Sequence, residues 1–204
     1  MPSCESTNGD IRSNQSVLQI HSSNVLHCEF NKFNSNLFIT ASIDCTAKLW
    51  DIRMLDKKRP KPILTIRQTE PLNSATFSST NGSTLLVTNH FDEISIYRGP
   101  DWQLERCIRH NHEQTQRFCL LKPMWHPMVD QFIIGSFSHN PLVSGQYLDR
   151  PQTIDVFDAK RGLILNSISD GNPGVITMSC FNSCGDVIAG IRGRNLIIFE
   201  SKTN

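Results

Sequence analysis

Between His110 and Lys122 the chain carries a run of side chains able to touch a ligand: His110, His112, Glu113, Gln114, Thr115, Gln116, Arg117 and Lys122. Two imidazoles one residue apart could begin a metal site. A zinc site needs three or four protein ligands, and no well-spaced third ligand accompanies this pair, so a polar surface loop explains it better. The seven cysteines (Cys4, Cys28, Cys45, Cys107, Cys119, Cys180 and Cys184) are odd in number and irregularly spaced, and none forms a Cys-x-x-Cys pair. Several fall inside apolar runs, and they read as buried, reduced thiols of a cytosolic or nuclear chain. No Gly-x-Ser-x-Gly elbow, phosphate loop or metalloprotease helix is present. The acids Asp44, Glu93 and Asp155 fall in or beside strand-like runs, where structural roles in turns explain them better than paired acid–base chemistry. The expectation is a binding protein rather than an enzyme, with no cofactor.

The bulk numbers fit that expectation. At 204 residues, with 38% hydrophobic and 19% charged residues, the chain can bury a core. A net charge of +1 excludes a uniformly basic nucleic-acid binder, so any such site must be a local patch. No apolar run approaches the roughly 20 residues of a membrane span, and no signal peptide opens the chain. Residues 1–20, rich in Ser, Asn and Gln, read as a disordered lead-in.

The elements that must position these side chains come from a repeat. Each of four units has an apolar strand ending in an aromatic, a turn, and two further strands. They run through VLHCEFN, LFITAS and AKLWD; LNSATFS, TLLVTN and EISIYR; LLKPMWHP, QFIIGS and TIDVFD; VITMSCFN, DVIAGI and NLIIFE. The entry aromatics Phe30, Phe77, Trp125 and Phe181 are 47, 48 and 56 residues apart, and Trp50, Tyr97, Phe157 and Phe199 close the units. A period of this size with short Ile-, Val- and Thr-rich strands is the signature of a β-propeller. Residues 21–204 therefore read as a partial all-β propeller with blades at about 21–53, 62–98, 103–158 and 163–200. Four blades are present of the seven with which this repeat usually closes, as in a fragment or short isoform. Lys57 to Pro62 (KKRPKP) reads as a basic linker between units, Gln103 to Gln116 as a long connection, and Ser138 to Pro151 as an insertion.

The stretch LFITASIDCTAKLWDIR adds a signature. Asp44 stands six residues before Trp50-Asp51, as in the last hairpin of a WD repeat, and Arg53 follows two places on. Beyond this stretch, Asn73, Phe77-Ser78, Tyr97, Trp102, Lys122, Trp125-His126-Pro127 and Thr153-Ile154-Asp155-Val156-Phe157-Asp158 occur in an order that resembles the damage-specific DNA-binding family. These are the WD-repeat, lesion-reading subunits of the ultraviolet-damaged DNA-binding complex. The resemblance covers most of the chain.

That resemblance implies a nuclear protein of nucleotide-excision repair. Its partners would be damaged double-stranded DNA, the large subunit that serves as cullin-4 ubiquitin ligase adaptor, and chromatin. A hairpin enters the duplex and a damaged base flips, which costs least where pairing is already weak. The matching DNA-binding positions are His112, Thr115, Gln116, Arg117 and Lys122, and the partner-binding positions are Trp50, Asp51 and Arg53. Several positions depart from the pattern. Asn24 stands where the family has lysine, Glu113 where it has a basic residue, Thr115 where it has an aromatic, Arg117 where it has histidine, and Ser136-Phe137 where it has arginine and tyrosine. Arg109, Arg117 and Lys122 could compensate. The alternative reading is a WD-repeat interaction scaffold or ligase receptor without lesion-specific binding.

Overall fold

The computed structural model describes residues 17–200 apart from 57, 112–120, 137–151 and 173. The strands are β1 (Val25–Phe30), β2 (Leu37–Ser42), β3 (Thr46–Asp51), β4 (Leu64–Arg67), β5 (Leu72–Phe77), β6 (Thr84–Asn89), β7 (Glu93–Arg98), β8 (Gln103–Arg109), β9 (Met124–Trp125), β10 (Gln131–Gly135), β11 (Ile154–Asp158), β12 (Leu163–Ile168), β13 (Met178–Phe181), β14 (Val187–Arg192) and β15 (Asn195–Glu200). A 3-10 turn at Ile52–Met54 is the sole helical element among the described residues. The strands form four antiparallel meanders, β1–β4, β5–β8, β9–β12 and β13–β15. These are the blades of a β-propeller, as the repeat period leads one to expect.

Apolar side chains on facing sheets explain why the meanders stack. Ile39, Ala41, Ala47 and Leu49 of the first sheet bury against Leu72, Ala75, Phe77 and Leu85 of the second. Leu86, Ile94, Ile96 and Ile108 meet Trp125, Phe132, Ile134 and Phe157 of the third. There Phe132 and Phe157 stack at 5.0 Å, with Trp125 edge-on to Phe132 at 5.8 Å. Ile133 and Ile154 cover Ile188 of the fourth, with Ile176 between them. Side chains that face both ways from one strand are needed when a sheet is covered on both faces, so the central strands read as near-continuous apolar runs.

Pairing shifts the boundaries of the units. β4 pairs with β3, and β12 with β11. Residues 64–67 thus close the first sheet instead of opening the second unit, and 163–168 close the third. Likewise Gln103–Arg109 is not a connection but strand β8, paired with β7. These outer strands were hidden because they are short or polar and exposed, without clean alternation. The KKRPKP segment correspondingly joins two strands of one sheet. The cysteines also differ from expectation. Cys28, Cys107, Cys180 and Cys184 are exposed and Cys45 half-buried, without a disulfide among the described residues. They lie on strands at sheet edges or in turns, where the apolar runs around them do not imply burial.

Each meander alternates its loops between two ends of the blade. One end carries the segments before β1, β5, β9 and β13 and the turns β2–β3, β6–β7, β10–β11 and β14–β15. The other carries the turns β1–β2, β3–β4, β5–β6, β7–β8, β9–β10, β11–β12 and β13–β14. We refer to these as the connector end and the hairpin end.

Where the third and fourth sheets meet, Gly135 allows close approach of a neighbouring backbone. A Cβ there would lie 2.6 Å from the Ile176 carbonyl oxygen and 3.0 Å from Leu121 Cδ2. The oxygen belongs to backbone and cannot swing aside. Gly135→Ala is expected to destabilise the protein by about 1–3 kcal/mol, read as a lower urea midpoint with unchanged slope.

Candidate nucleic-acid interface

At the connector end each segment entering a sheet is fastened by a polar side chain. In the first sheet His21 Nδ1 lies 3.0 Å from Asp44 Oδ2 and its Nε2 lies 2.7 Å from Thr40 Oγ1. Trp50 Nε1 donates to the same Thr40 oxygen at 2.9 Å. The carboxylate can only accept, so His21 donates from Nδ1, and its Nε2 accepts the Thr40 hydroxyl proton. The relay Trp50 to Thr40 to His21 to Asp44 satisfies every donor with a neutral imidazole. Asp44 also accepts from the Thr46 hydroxyl at 2.6 Å and the Ser22 N–H at 3.0 Å. Trp50 and Asp44 are therefore framework residues, and Trp50 is 1% exposed.

The other sheets solve the same problem with different chemistry. Gln68 Nε2 donates to Ser95 Oγ at 3.0 Å, and Ser95 donates to Glu93 at 3.2 Å. His110 Nε2 lies 3.0 Å from Asp155 Oδ2, and its ring meets Phe157 edge-on at 5.3 Å. Thr153 donates to the second Asp155 oxygen at 2.8 Å. In the fourth sheet the polarity reverses, since Asp170 now lies in the connecting segment and accepts both Arg192 terminal nitrogens at 2.6 and 2.7 Å.

Among the described residues, these fastenings stand at the end that also carries Arg109 and Lys122. His112, Thr115, Gln116 and Arg117, with Glu113, lie outside the described residues, as does Phe137. Asn24, just before β1, accepts the Ile43 N–H at 3.1 Å through its carbonyl. Arg109 ends β8 and is exposed. Lys122 reaches across from the third sheet to the first, where its Nζ donates to the Leu26 carbonyl at 2.9 Å. Partial burial lowers its pKa from the usual lysine value. It thereby braces the inner strands, beside His27, whose Nδ1 bonds the Ala75 carbonyl at 2.8 Å.

The sequence reading missed three residues at this end. Arg67 ends β4 and Arg194 sits in the β14–β15 turn, both exposed. Their signal was position, an arginine at the last residue of a strand or in a tight hairpin turn. Phe91, 52% exposed, tops the β6–β7 turn. Asn89 Oδ1 accepts the Phe91 N–H at 2.9 Å and the Glu93 N–H at 3.2 Å, and Asp92 takes φ +54°. The Asp92 carbonyl accepts the His110 N–H at 2.9 Å, and Glu93 pairs with Arg109. An aromatic held on a rigid turn thus neighbours an exposed arginine, a combination that can stack a base and neutralise a phosphate. No group of three or more His, Cys, Asp or Glu side chains placed to hold a metal ion occurs among the described residues.

Arg53 lies at the opposite, hairpin end. Its Nε and terminal nitrogen grip Asp51 at 3.0 and 2.6 Å, and its N–H caps the same carboxylate at 2.9 Å. The Asp51 side chain is 5% exposed and that of Arg53 64%. Hydrogen bonding from Arg53 holds the Asp51 carboxyl below its usual range. The predicted partner-binding residues Trp50, Asp51 and Arg53 therefore divide, with Trp50 in the core and Arg53 at the surface.

No family model matches the chain. Among curated proteins it is 34% identical over 184 residues to DNA damage-binding protein 2 of Danio rerio, covering 89% of this chain and 36% of that protein. Against the Gallus gallus protein of the same name, identity is also 34%, over 90% of this chain and 36% of the relative. Protein DAMAGED DNA-BINDING 2 of Arabidopsis thaliana is 26% identical over 96% of this chain and 36% of its own length. The chain thus spans little more than a third of the length of these relatives.

The first fastening makes stability depend on pH. Burial alone would raise the Asp44 carboxyl, but the hydrogen bonds from Thr46, Ser22 and His21 outweigh it and hold the group well below the usual carboxylate range. Burial lowers the His21 pKa, against the pull of Asp44. Both folded values lie below the unfolded ones. Their contributions are therefore present near neutral pH and lost on acidification, first as His21 must be protonated and then as Asp44 is. Stability measured by urea unfolding is expected to fall from pH 7.5 to pH 4. The Asp44→Asn variant should start less stable and decline more steeply over that range, because His21 loses the carboxylate that offsets the effect of burial on its pKa.

Proposed function

Starting from the premise that this chain is related to DNA damage-binding protein 2 along most of its length, we propose that it is a damaged-DNA-binding WD-repeat protein of nucleotide-excision repair in the nucleus. The duplex approaches the connector end. Arg67, Arg109 and Arg194 neutralise phosphates there and set the register. Phe91 stacks on an exposed base, partly replacing the aromatic that Thr115 does not supply. Preference for lesions arises because a damaged pair costs less to unstack than an intact one. The observation that carries this reading is the placement of Arg109 and the Phe91 turn together, beside the segment that corresponds to the relatives' inserting hairpin.

The same reading gives the hairpin end to the ligase. Arg53, oriented by Asp51, presents a planar guanidinium to backbone carbonyls or a carboxylate of the cullin-4 adaptor, the large subunit of the damaged-DNA-binding complex. Lysine would do this poorly. A second reading, a scaffold without lesion preference, is favoured by one finding. Lys122 and Arg192, two cations of the connector end, are spent on the Leu26 carbonyl and on Asp170.

Fluorescence anisotropy on lesion-bearing and intact duplexes separates the two. The proposal expects the lesion duplex to bind at least about tenfold more tightly; equal affinities leave the scaffold. Arg109→Ala should weaken both duplexes and reduce the salt slope by about 1. Phe91→Ala should cost about 1–3 kcal/mol, mainly on the lesion duplex. For the ligase, Arg53→Ala should weaken pulldown of the adaptor while leaving both DNA titrations unchanged; unaltered pulldown would remove Arg53 from the interface.

A further inference from the structure

The β3–β4 loop carries a cationic cluster that neither the blade nor the DNA reading uses. Lys58, Arg59 and Lys61 are exposed. Few hydrogen bonds hold this loop. Ile52 N–H bonds the Asn36 carbonyl at 2.8 Å where it leaves, Ile63 N–H bonds the Leu49 carbonyl at 2.8 Å where it returns, and Lys58 N–H caps Asp56 at 2.8 Å. Pro60 and Pro62 fix their own φ and disfavour helical backbone at the preceding residues, Arg59 and Lys61. The result is a short, exposed, basic peptide joining two strands of one sheet, with a bend at Lys58 and Arg59. Exposed Ile52, Met54 and Ile63, at 50%, 73% and 51%, flank it.

We propose that Lys58-Arg59-Pro60-Lys61 is a nuclear-import signal, bound in extended form by an import receptor through an acidic, aromatic-lined groove. Short Lys/Arg-rich runs serve either this purpose or contact with nucleic-acid phosphates, and the surroundings distinguish the two. Asp101 and Asp186 lie in turns at the same hairpin end, where Asp130 and, at the end of β11, Asp158 pair with Lys160 and Arg161. A duplex laid across this end to reach the loop would meet those carboxylates, and phosphate binding draws on cations spread along the backbone. A groove that takes four residues of one projecting loop meets none of them. Two prolines that restrict the backbone suit such a groove, because less conformational freedom is lost on binding. The loop also lies at the opposite end from Arg109 and Phe91, so receptor binding leaves the connector end open.

The test uses the full chain fused to a cargo too large to diffuse through nuclear pores. Wild type and Lys58→Arg are expected to concentrate in the nucleus. The triple variant Lys58→Ala/Arg59→Ala/Lys61→Ala should fall to the nuclear-to-cytoplasmic ratio of the cargo alone. Residues 56–63 transplanted onto the cargo should suffice for import, an arm that does not depend on folding of the blade. In solution, recombinant importin-α should bind wild type and lose binding to the triple variant, whereas the affinity of that variant for lesion-bearing duplex should be unchanged. That last comparison separates this inference from the DNA reading. Equal nuclear ratios for wild type and triple variant overturn the proposal. So does a loop that binds intact duplex instead of importin-α.

Discussion

A sheet apolar on both faces is stable only between two neighbours, and this requirement shapes the whole molecule. The first and second sheets share one core, the second and third another, the third and fourth a third. Apolar contact is non-directional, so it holds the sheets together without fixing their angle or register. The directional part comes from the segments that pass between sheets. Each leaves the outer strand of one sheet and enters the inner strand of the next. A polar side chain placed just there, such as Gln68 or His110, ties the segment to the sheet it is entering. The sequence repeat runs one strand out of phase with the sheet, so each repeat after the first contributes to two sheets. A change in a single repeat is felt in both.

The four fastenings show how freely the chemistry varies while the task stays fixed. Neutral His21 against ionised Asp44, Gln68 with Ser95 and Glu93, His110 with Asp155, and Asp170 with Arg192 all match a donor to a partly buried acceptor. What varies is charge placement. The fourth fastening puts the acid in the connecting segment and the arginine on the strand, opposite to the first. Lys122 spends its ammonium on the Leu26 carbonyl. Much of the formal positive charge at the connector end is therefore engaged within the protein, and the field an approaching polyanion meets depends on a few exposed arginines. Any affinity for nucleic acid at this end is then expected to depend strongly on local contacts and salt, in keeping with a chain whose net charge is only +1.

How far the sequence revealed this depended on whether the determining signal was local. The strands β2, β3, β6, β7, β10 and β11 were legible because burial on both faces forces continuous apolar runs. Asp44 and Trp50 were legible because their spacing across one hairpin is fixed by strand length. β4, β8 and β12 were not, since a short or exposed, polar outer strand without clean alternation reads like a loop. The cysteines misled for a related reason: an apolar run marks a strand, but not which strand stands at an edge. The role of Lys122 was invisible because its partner, Leu26, lies 96 residues away. Phe91 was passed over since a lone exposed aromatic carries no message until its neighbours, Asn89 and Arg109, are known.

The separation of the two ends has a consequence for how they work together. A six-residue strand is about 20 Å long, and exposed charges further apart than about 8 Å are largely screened at physiological salt. Arg53 and the Lys58–Lys61 loop would therefore add little to the pull of Arg109 on any polyanion at the connector end, and such a polyanion would do little to the hairpin end electrostatically. Any coupling has to pass through the strands. Those strands are close-packed, with Ile39, Ala41, Leu86 and Phe132 at most 0% exposed, so they resist small displacements rather than transmitting graded ones. Occupation of one end should then leave the other end's geometry unchanged. The two ends could therefore be occupied at once without either occupant excluding the other.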